Sequence, residues 1–239
     1  NDLLDDGADV LLTMLADDEA LRSVAIPALR ATRSGTTLID LSTVSPEAST
    51  EVALAAESAG VAFLRAPVSG NPTVVRSGKL TLIVSGPAQA YERAKPVLEA
   101  VGPTIYYVGE GEQARVVKLA LQIMIAGTAE LMAEALTLAE AGGVEPRTLL
   151  EVMANSAVGS PFVRYKTEPL LRGDYSATFT TAMMQKDLDL VEEFARERDV
   201  PLPLLGPLST AIAETMATGH ADRDFMALYL RFSRGTEAG

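Results

Sequence analysis

At Glu112 the pattern of this sequence changes: strand-like and helix-like segments alternate before it, and every segment after it is helix-like. Upstream, ADVLLTML (8–15), TTLIDL (36–41), VAFLRAP (61–67), KLTLIVSG (79–86) and TIYYVG (104–109) are apolar runs of strand length. Helical stretches separate them, from the acidic ADDEA to about Ala31, from Pro46 to Gly60, and over 88–100. Pro46 suits a first helical position, while Ser34-Gly35 and Gly60 break the helices before them. Such alternation predicts a mostly parallel sheet covered on both faces. Downstream, 112–141 is one long helix stopped by Gly142-Gly143, and helices are expected at about 146–155, 161–172, 181–198, 204–218 and 222–232. The expected architecture is an α/β domain over 1–111 and an all-α domain over 112–239, linked by the long helix.

Composition narrows the function. With 239 residues, 48% of them hydrophobic, the chain can bury one large core or two modest ones. A net charge of -12 without a dense Lys/Arg cluster argues against a nucleic-acid partner. Cysteine is absent, so disulfides, thiolate nucleophiles and Cys-ligated metals are excluded. The one histidine, His220 in ATGHADRD, is expected to be a solvated loop residue, so no metal site and no Ser-His-Asp centre is expected. The opening NDLLDDGAD is too acidic for a secretory leader. The most apolar run, 116–129, contains Lys118 and Gln122 and is followed by Glu130 and Glu134, which makes it too short and polar for a membrane span; a cytoplasmic protein is expected.

Lys118 and Gln122, in VVKLALQIMIAG, stand one turn apart on one face of the long helix. An ammonium among apolar neighbours either runs its stem along the surface to water or is held for chemistry. Both readings remain open on these two residues alone. A nearby G-x-G-x-x-A pattern, Gly109 to Ala114, follows a strand and opens a helix as a dinucleotide fingerprint does. No second strand follows it, and Glu112 would set a carboxylate beside a pyrophosphate. A glycine hinge is the better reading.

Several blocks, taken in order, resemble the β-hydroxyacid dehydrogenases, the family that includes 3-hydroxyisobutyrate dehydrogenase, tartronate semialdehyde reductase and the more distant 6-phosphogluconate dehydrogenase. ADVLLTMLADDEA (8–20) is similar to the strand and turn that contact the cofactor, with Leu15-Ala16 where the family has Leu-Pro. IDLSTVSP (39–46) brings Ser42-Thr43, similar to a Ser-Thr near the nicotinamide. RAPVSGNP (65–72) resembles the substrate-binding Asp-Ala-Pro-Val-Ser-Gly-Gly, and Lys118 with Gln122 resembles the catalytic lysine and the amide four positions on. Phe179 and QKDLDL (185–190) are similar to a downstream cofactor-side motif, Lys186-Asp187 matching its Lys-Asp.

The resemblance implies a Rossmann-like domain followed by a helical domain, NAD or NADP as cofactor, and hydride transfer to or from a small β-hydroxyacid or its semialdehyde. It makes Lys118 catalytic, gives substrate binding to Ser69, Gly70, Asn71 and Gln122, and cofactor binding to Leu15, Ala16, Thr43 and Lys186. Asn71 replaces a glycine of the substrate loop, and Leu121-Gln122 stands where the family often has Asn-Asn. If only the glycines are matched, Arg115 takes the lysine's place; Lys118 keeps AEAL (133–136) and Gly142-Gly143 in step. The family's glycine-rich opening precedes residue 1 in this alignment, so the Rossmann-like domain is expected to be N-terminally incomplete and to bind a dinucleotide poorly alone. Imine reductases, which share the architecture but usually lack the lysine, and non-catalytic homologues are the alternatives. Family members are oligomeric, and the long helix is apolar on more than one face, so a homodimer or homotetramer is expected.

Overall fold

The computed structural model describes residues 7–70 and 72–232. It divides into two compact units, residues 1–120 and 121–239.

In the first unit, strands β1 (Val10–Thr13), β2 (Thr37–Asp40) and β3 (Ala62–Arg65) are parallel neighbours. In register, Leu11, Leu38 and Phe63 stand side by side, as do Leu12, Ile39 and Leu64. Successive side chains on a strand face opposite ways. Accordingly Leu38 and Phe63 are buried with Leu21, Ala25 and Leu29 of α1 (Asp18–Ala31) and with Val52 and Ala56 of α2 (Pro46–Ser58). Ile39 and Leu64 join the other core, with Ala90, Ala94 and Leu98 from a later helix.

The helix starts follow from their caps. Asp17 accepts the Ala20 N–H at 2.8 Å, and Ser45, ahead of Pro46, accepts the Ala48 N–H at 3.0 Å. Ser45 also donates its hydroxyl to Asp18 at 2.5 Å, tying the two helix starts together. Each is an orphan backbone donor satisfied by a short polar side chain.

Beyond β3 the sheet is less regular than the sequence suggested. The loop after Pro67 holds a two-residue strand, β4 (Val68–Ser69), and a short helix, α3 (Pro72–Arg76). β4 runs antiparallel to β5 (Thr81–Val84), and β5 runs parallel to β6 (Thr104–Tyr107). β3 reaches the second group through one antiparallel bridge, Arg65 to Ser85, with N–H to O=C distances of 2.8 and 2.9 Å. Helix α4 (Ala88–Val101) lies between β5 and β6 in the chain.

Helix α5 (Gln113–Ala141) crosses the boundary between the units in sequence. Its 29 residues exceed the 116–129 run, and by length and composition it is apolar enough to cross a membrane, which corrects the sequence reading. Within the second unit, however, its Met132, Ala133 and Leu136 are fully buried.

The second unit continues with α6 (Pro146–Asn155), α7 (Pro161–Leu171), α8 (Thr181–Glu197) and α9 (Leu205–Thr215). Leu150, Val163, Met184, Leu188, Ile212, Phe225 and Leu228 fill its core. The expected helices at 204–218 and 222–232 differ in detail: α9 passes into a π-helical turn over Met216–His220, and Phe225–Phe232 is 3₁₀. Gly219, with φ of 86°, ends the π turn in the left-handed region that glycine tolerates. His220 is half-buried there, not solvated, and its Nδ1 is buried without a hydrogen-bond partner.

A buried ion pair holds this unit's C-terminal end. Lys166 of α7 places Nζ 2.7 Å from both carboxylate oxygens of Asp224 and 3.0 Å from the Thr178 hydroxyl. Burial pushes the ammonium below its ordinary range while Asp224 pulls it back up. Beside it, partial desolvation, helped by the Asp224 charge, lifts the Tyr165 phenol from 10.0 to about 12. A group with a raised folded value stabilises the fold below its unfolded value and loses that contribution as pH climbs through the folded one. Unfolding temperature is therefore expected to fall between pH 10 and about 12, and Tyr165→Phe to flatten that fall in melts across this range. An unchanged slope would remove Tyr165 as the cause.

Candidate active site

Three of the expected site residues lie just beyond the carboxyl ends of parallel strands, where parallel α/β sheets bind ligands, and two more lie in the loop after β3. Leu15 and Ala16 follow β1, Leu15 half-buried against the core and Ala16 exposed. Thr43 follows β2 and is half-buried. Ser69 sits in β4, followed by Gly70 at φ 150°. A Cβ on Gly70 would come within 2.7 Å of Leu80 and 2.9 Å of Val74, so only glycine lets this loop pass so close to its neighbours. Asn71 lies outside the described residues.

The turns after β1 and β2 are joined. The Leu15 N–H donates to Ser42 Oγ at 2.8 Å, and the Ser42 hydroxyl donates to Asp40 at 2.6 Å. Thr13 donates to the same carboxylate oxygen at 2.7 Å. The other oxygen of Asp40 pairs with Arg115, one turn before Lys118 on α5. Arg115 is fully buried and also donates to the Ser42 carbonyl at 2.5 Å and to Ser49 Oγ at 3.3 Å. Burial pushes its guanidinium below the ordinary range, and Asp40 opposes that shift. A second arginine, Arg65, pairs with Glu112 and shares Ser49 at 3.3 Å. Both guanidiniums thus face their own carboxylate.

Lys118 is half-buried, and its Nζ donates to the Val68 carbonyl at 3.1 Å. The structure therefore brings Lys118 to the segment that carries Ser69 and Gly70. In the second unit, the Gln122 amide nitrogen donates to Asp187, which is fully buried, and Lys186 Nζ lies 2.8 Å from the other Asp187 oxygen. That second contact is an ion pair without the alignment of a hydrogen bond, since Asp187 Oδ1 has no hydrogen-bond partner. Gln122 and Lys186 thus share one carboxylate.

Sequence reasoning missed Asp40, Arg65, Glu112, Arg115, Lys166 and Asp224 as a polar framework. The one local signal was a charge at the end of the apolar strand TLID. In the sequence Arg115 stands only as a rival for the lysine's position, and its complete burial against Asp40 leaves no amine or acid there for a substrate. The glycine pattern at 109–114 is used internally: Gln113 takes the Gly111 N–H at 2.7 Å, and Ser85 takes the Ala114 N–H at 3.2 Å. Those donors are spent on the protein.

Two family models cover nearly the whole chain. Residues 2–109 match the NAD binding domain of 6-phosphogluconate dehydrogenase, and residues 112–232 match the NAD-binding domain of NADP-dependent 3-hydroxyisobutyrate dehydrogenase. The chain is 34% identical to a 3-hydroxyisobutyrate dehydrogenase of Pseudomonas aeruginosa, over 92% of this chain and 75% of that protein. It is 32% identical to an NAD-dependent L-serine dehydrogenase of the same organism, over 95% and 79%. Among solved structures, a 3-hydroxyisobutyrate dehydrogenase of Mycobacterium tuberculosis with L-serine superposes with a TM-score of 0.85 at 31% identity, over 95% of this chain and 80% of that one. The chain belongs to the β-hydroxyacid dehydrogenase family. It is a hydroxyacid oxidoreductase that uses NAD or NADP, built as a Rossmann-type domain followed by a helical one.

The turns after β1 and β2 carry Leu15, Ala16 and Thr43. The two turns are fixed to each other through Ser42, so they form one preorganised edge.

Proposed function

We propose that the intact protein oxidises a small β-hydroxyacid, or reduces the matching semialdehyde, with Lys118 moving the hydroxyl proton. The observation that carries this is the contact of Lys118 with Val68, which sets the amine beside the Ser69–Gly70 loop. In this reading Ser69 and the N–H groups of Gly70 and Asn71 hold the substrate carboxylate. Gln122, oriented by Asp187, fixes the hydroxyl-bearing end, and Lys118 takes or gives the proton. Leu15, Ala16, Thr43 and Lys186 hold the nicotinamide side of the cofactor. When bound, the nicotinamide accepts or supplies the hydride. The relatives' names offer 3-hydroxyisobutyrate and L-serine as first substrates, each with a carboxylate and a hydroxyl on the β carbon. A turnover screen of the full-length gene product with small hydroxyacids, each with NAD and NADP, tests the reading. Turnover of no β-hydroxyacid with either cofactor would overturn it.

We also propose a cytoplasmic homodimer or homotetramer assembled through α5. Met124, Leu131 and Leu138 recur every seven residues and are 67%, 66% and 77% exposed. Such a stripe is the seam expected of a helix–helix interface. Light scattering at micromolar concentration is expected to give at least a dimer, and Leu131→Glu to shift it toward monomer. A monomeric parent protein would rule this out.

A further inference from the structure

We propose that Arg115 is a positioning residue that registers Lys118 against the two turns carrying Leu15, Ala16 and Thr43. The inference rests on the reading of Lys118 as the proton-transfer residue.

Lys118 stands three positions after Arg115 on the helix, a rise of about 4.5 Å along the axis. At that distance the arginine fixes the lysine's height and rotation on α5. Its fork reaches three points at once: the Asp40 carboxylate at the end of β2, the Ser42 carbonyl at 2.5 Å, and the Ser49 hydroxyl at 3.3 Å on α2. Asp40 passes the constraint on, since its other oxygen accepts from Ser42, and Ser42 accepts the Leu15 N–H. A continuous chain of bonds therefore runs from the turn after β1, through the turn after β2, to the first turns of α5. Arg65 adds a parallel tie. It pairs with Glu112 just before the helix, and it immediately precedes the Ala66–Ser69 stretch whose Val68 carbonyl receives Lys118.

Stability alone explains this arrangement poorly. Buried ion pairs lose in desolvation much of what attraction returns, and apolar residues of similar volume often hold a fold as well. An apolar pair would not specify the rotation of α5 about its axis, whereas a planar fork with three fixed acceptors does. Proton and hydride transfer depend on that rotation, because a small misplacement of the reacting groups lowers the rate steeply.

The test uses the full-length enzyme, assayed well below each variant's unfolding temperature. Arg115→Lys keeps the charge and reaches Asp40, but a single ammonium cannot reproduce the fork. It is expected to lower kcat by roughly tenfold or more, with the hydroxyacid KM within about threefold of the parent. Arg115→Met is expected to lose more than Arg115→Lys, so the conservative change acts as a partial rescue. Ser42→Ala, a milder change that cuts the link to Leu15, is expected to raise the dinucleotide KM, and it remains informative if Arg115→Met does not fold. A parent-like kcat in Arg115→Lys, or an unaltered dinucleotide KM in Ser42→Ala, would overturn the proposal. Lys118→Ala in the same assay separates the two ideas. If it is inactive while Arg115→Lys is parent-like, only the positioning role fails; if Lys118→Ala is fully active, the catalytic reading itself fails.

Discussion

Lys118→Ala in the full-length enzyme is expected to lower kcat by about a hundredfold or more, the usual loss when a positioned acid/base is removed. The reason is geometric. Lys118 is half-buried on α5, and its amine lies 3.1 Å from Val68, beside the loop proposed to hold the substrate carboxylate. Among the residues proposed to touch the hydroxyl end, it is the one that can exchange a proton, since the Gln122 amide can only donate or accept hydrogen bonds. Loss of the amine should therefore fall on kcat and on kcat/KM together, while dinucleotide binding stays near the parent value. Lys118→Arg should not restore turnover, because a guanidinium does not give up its proton at working pH. An added small primary amine should restore part of the Lys118→Ala rate. Stopped-flow measurement of the chemical step with a responsive hydroxyacid reads this directly. A variant with the parent's kcat would assign the proton to another group.

The elements with local signals were legible in the sequence. Runs such as TTLIDL and VAFLRA alternate between faces that both become core, and Ser45-Pro46 announces α2 by chemistry confined to one turn. The ordered blocks also led to Lys118 and Ser69, which the structure connects through Val68. What stayed hidden is the set of charges that meet only on folding. Asp40 and Arg115 are 75 positions apart, and Lys166 and Asp224 are 58 apart. No periodicity couples residues at such distances, because the partner is chosen by how α5 and α7 pack. Arg115 shows the consequence. On the chain it resembled a candidate for the lysine's place, and only its burial against Asp40 gives it another role. The Phe225–Phe232 segment departs from a regular helix for a related reason: Asp224 is bound by Lys166 and Thr178 and accepts the Met226 N–H at 3.1 Å, which tightens the turn that follows.

Breaking that pair should have the largest effect on stability in the second unit. Lys166→Met keeps most of the side-chain volume but leaves the Asp224 carboxylate nearly sealed from water, with only the Thr178 and Met226 donors. Removing one partner of a buried pair typically costs about 3–5 kcal/mol. For a unit of this size, such a loss lowers the unfolding temperature by roughly 12–20 °C. The aromatic surroundings favour the upper part of that range. Phe225 lies 4.9 Å and Tyr165 5.4 Å from the ammonium, so its loss also removes attraction to their rings. The double variant Lys166→Met/Asp224→Asn should recover part of the loss: the amide removes the buried charge and its oxygen keeps the Thr178 donors, while its NH2 then faces the Met226 N–H. Urea denaturation of parent, single and double variants gives the coupling between the two residues. If both single variants unfold within about 1 kcal/mol of the parent, the pair is not what anchors the C-terminal segment to α7.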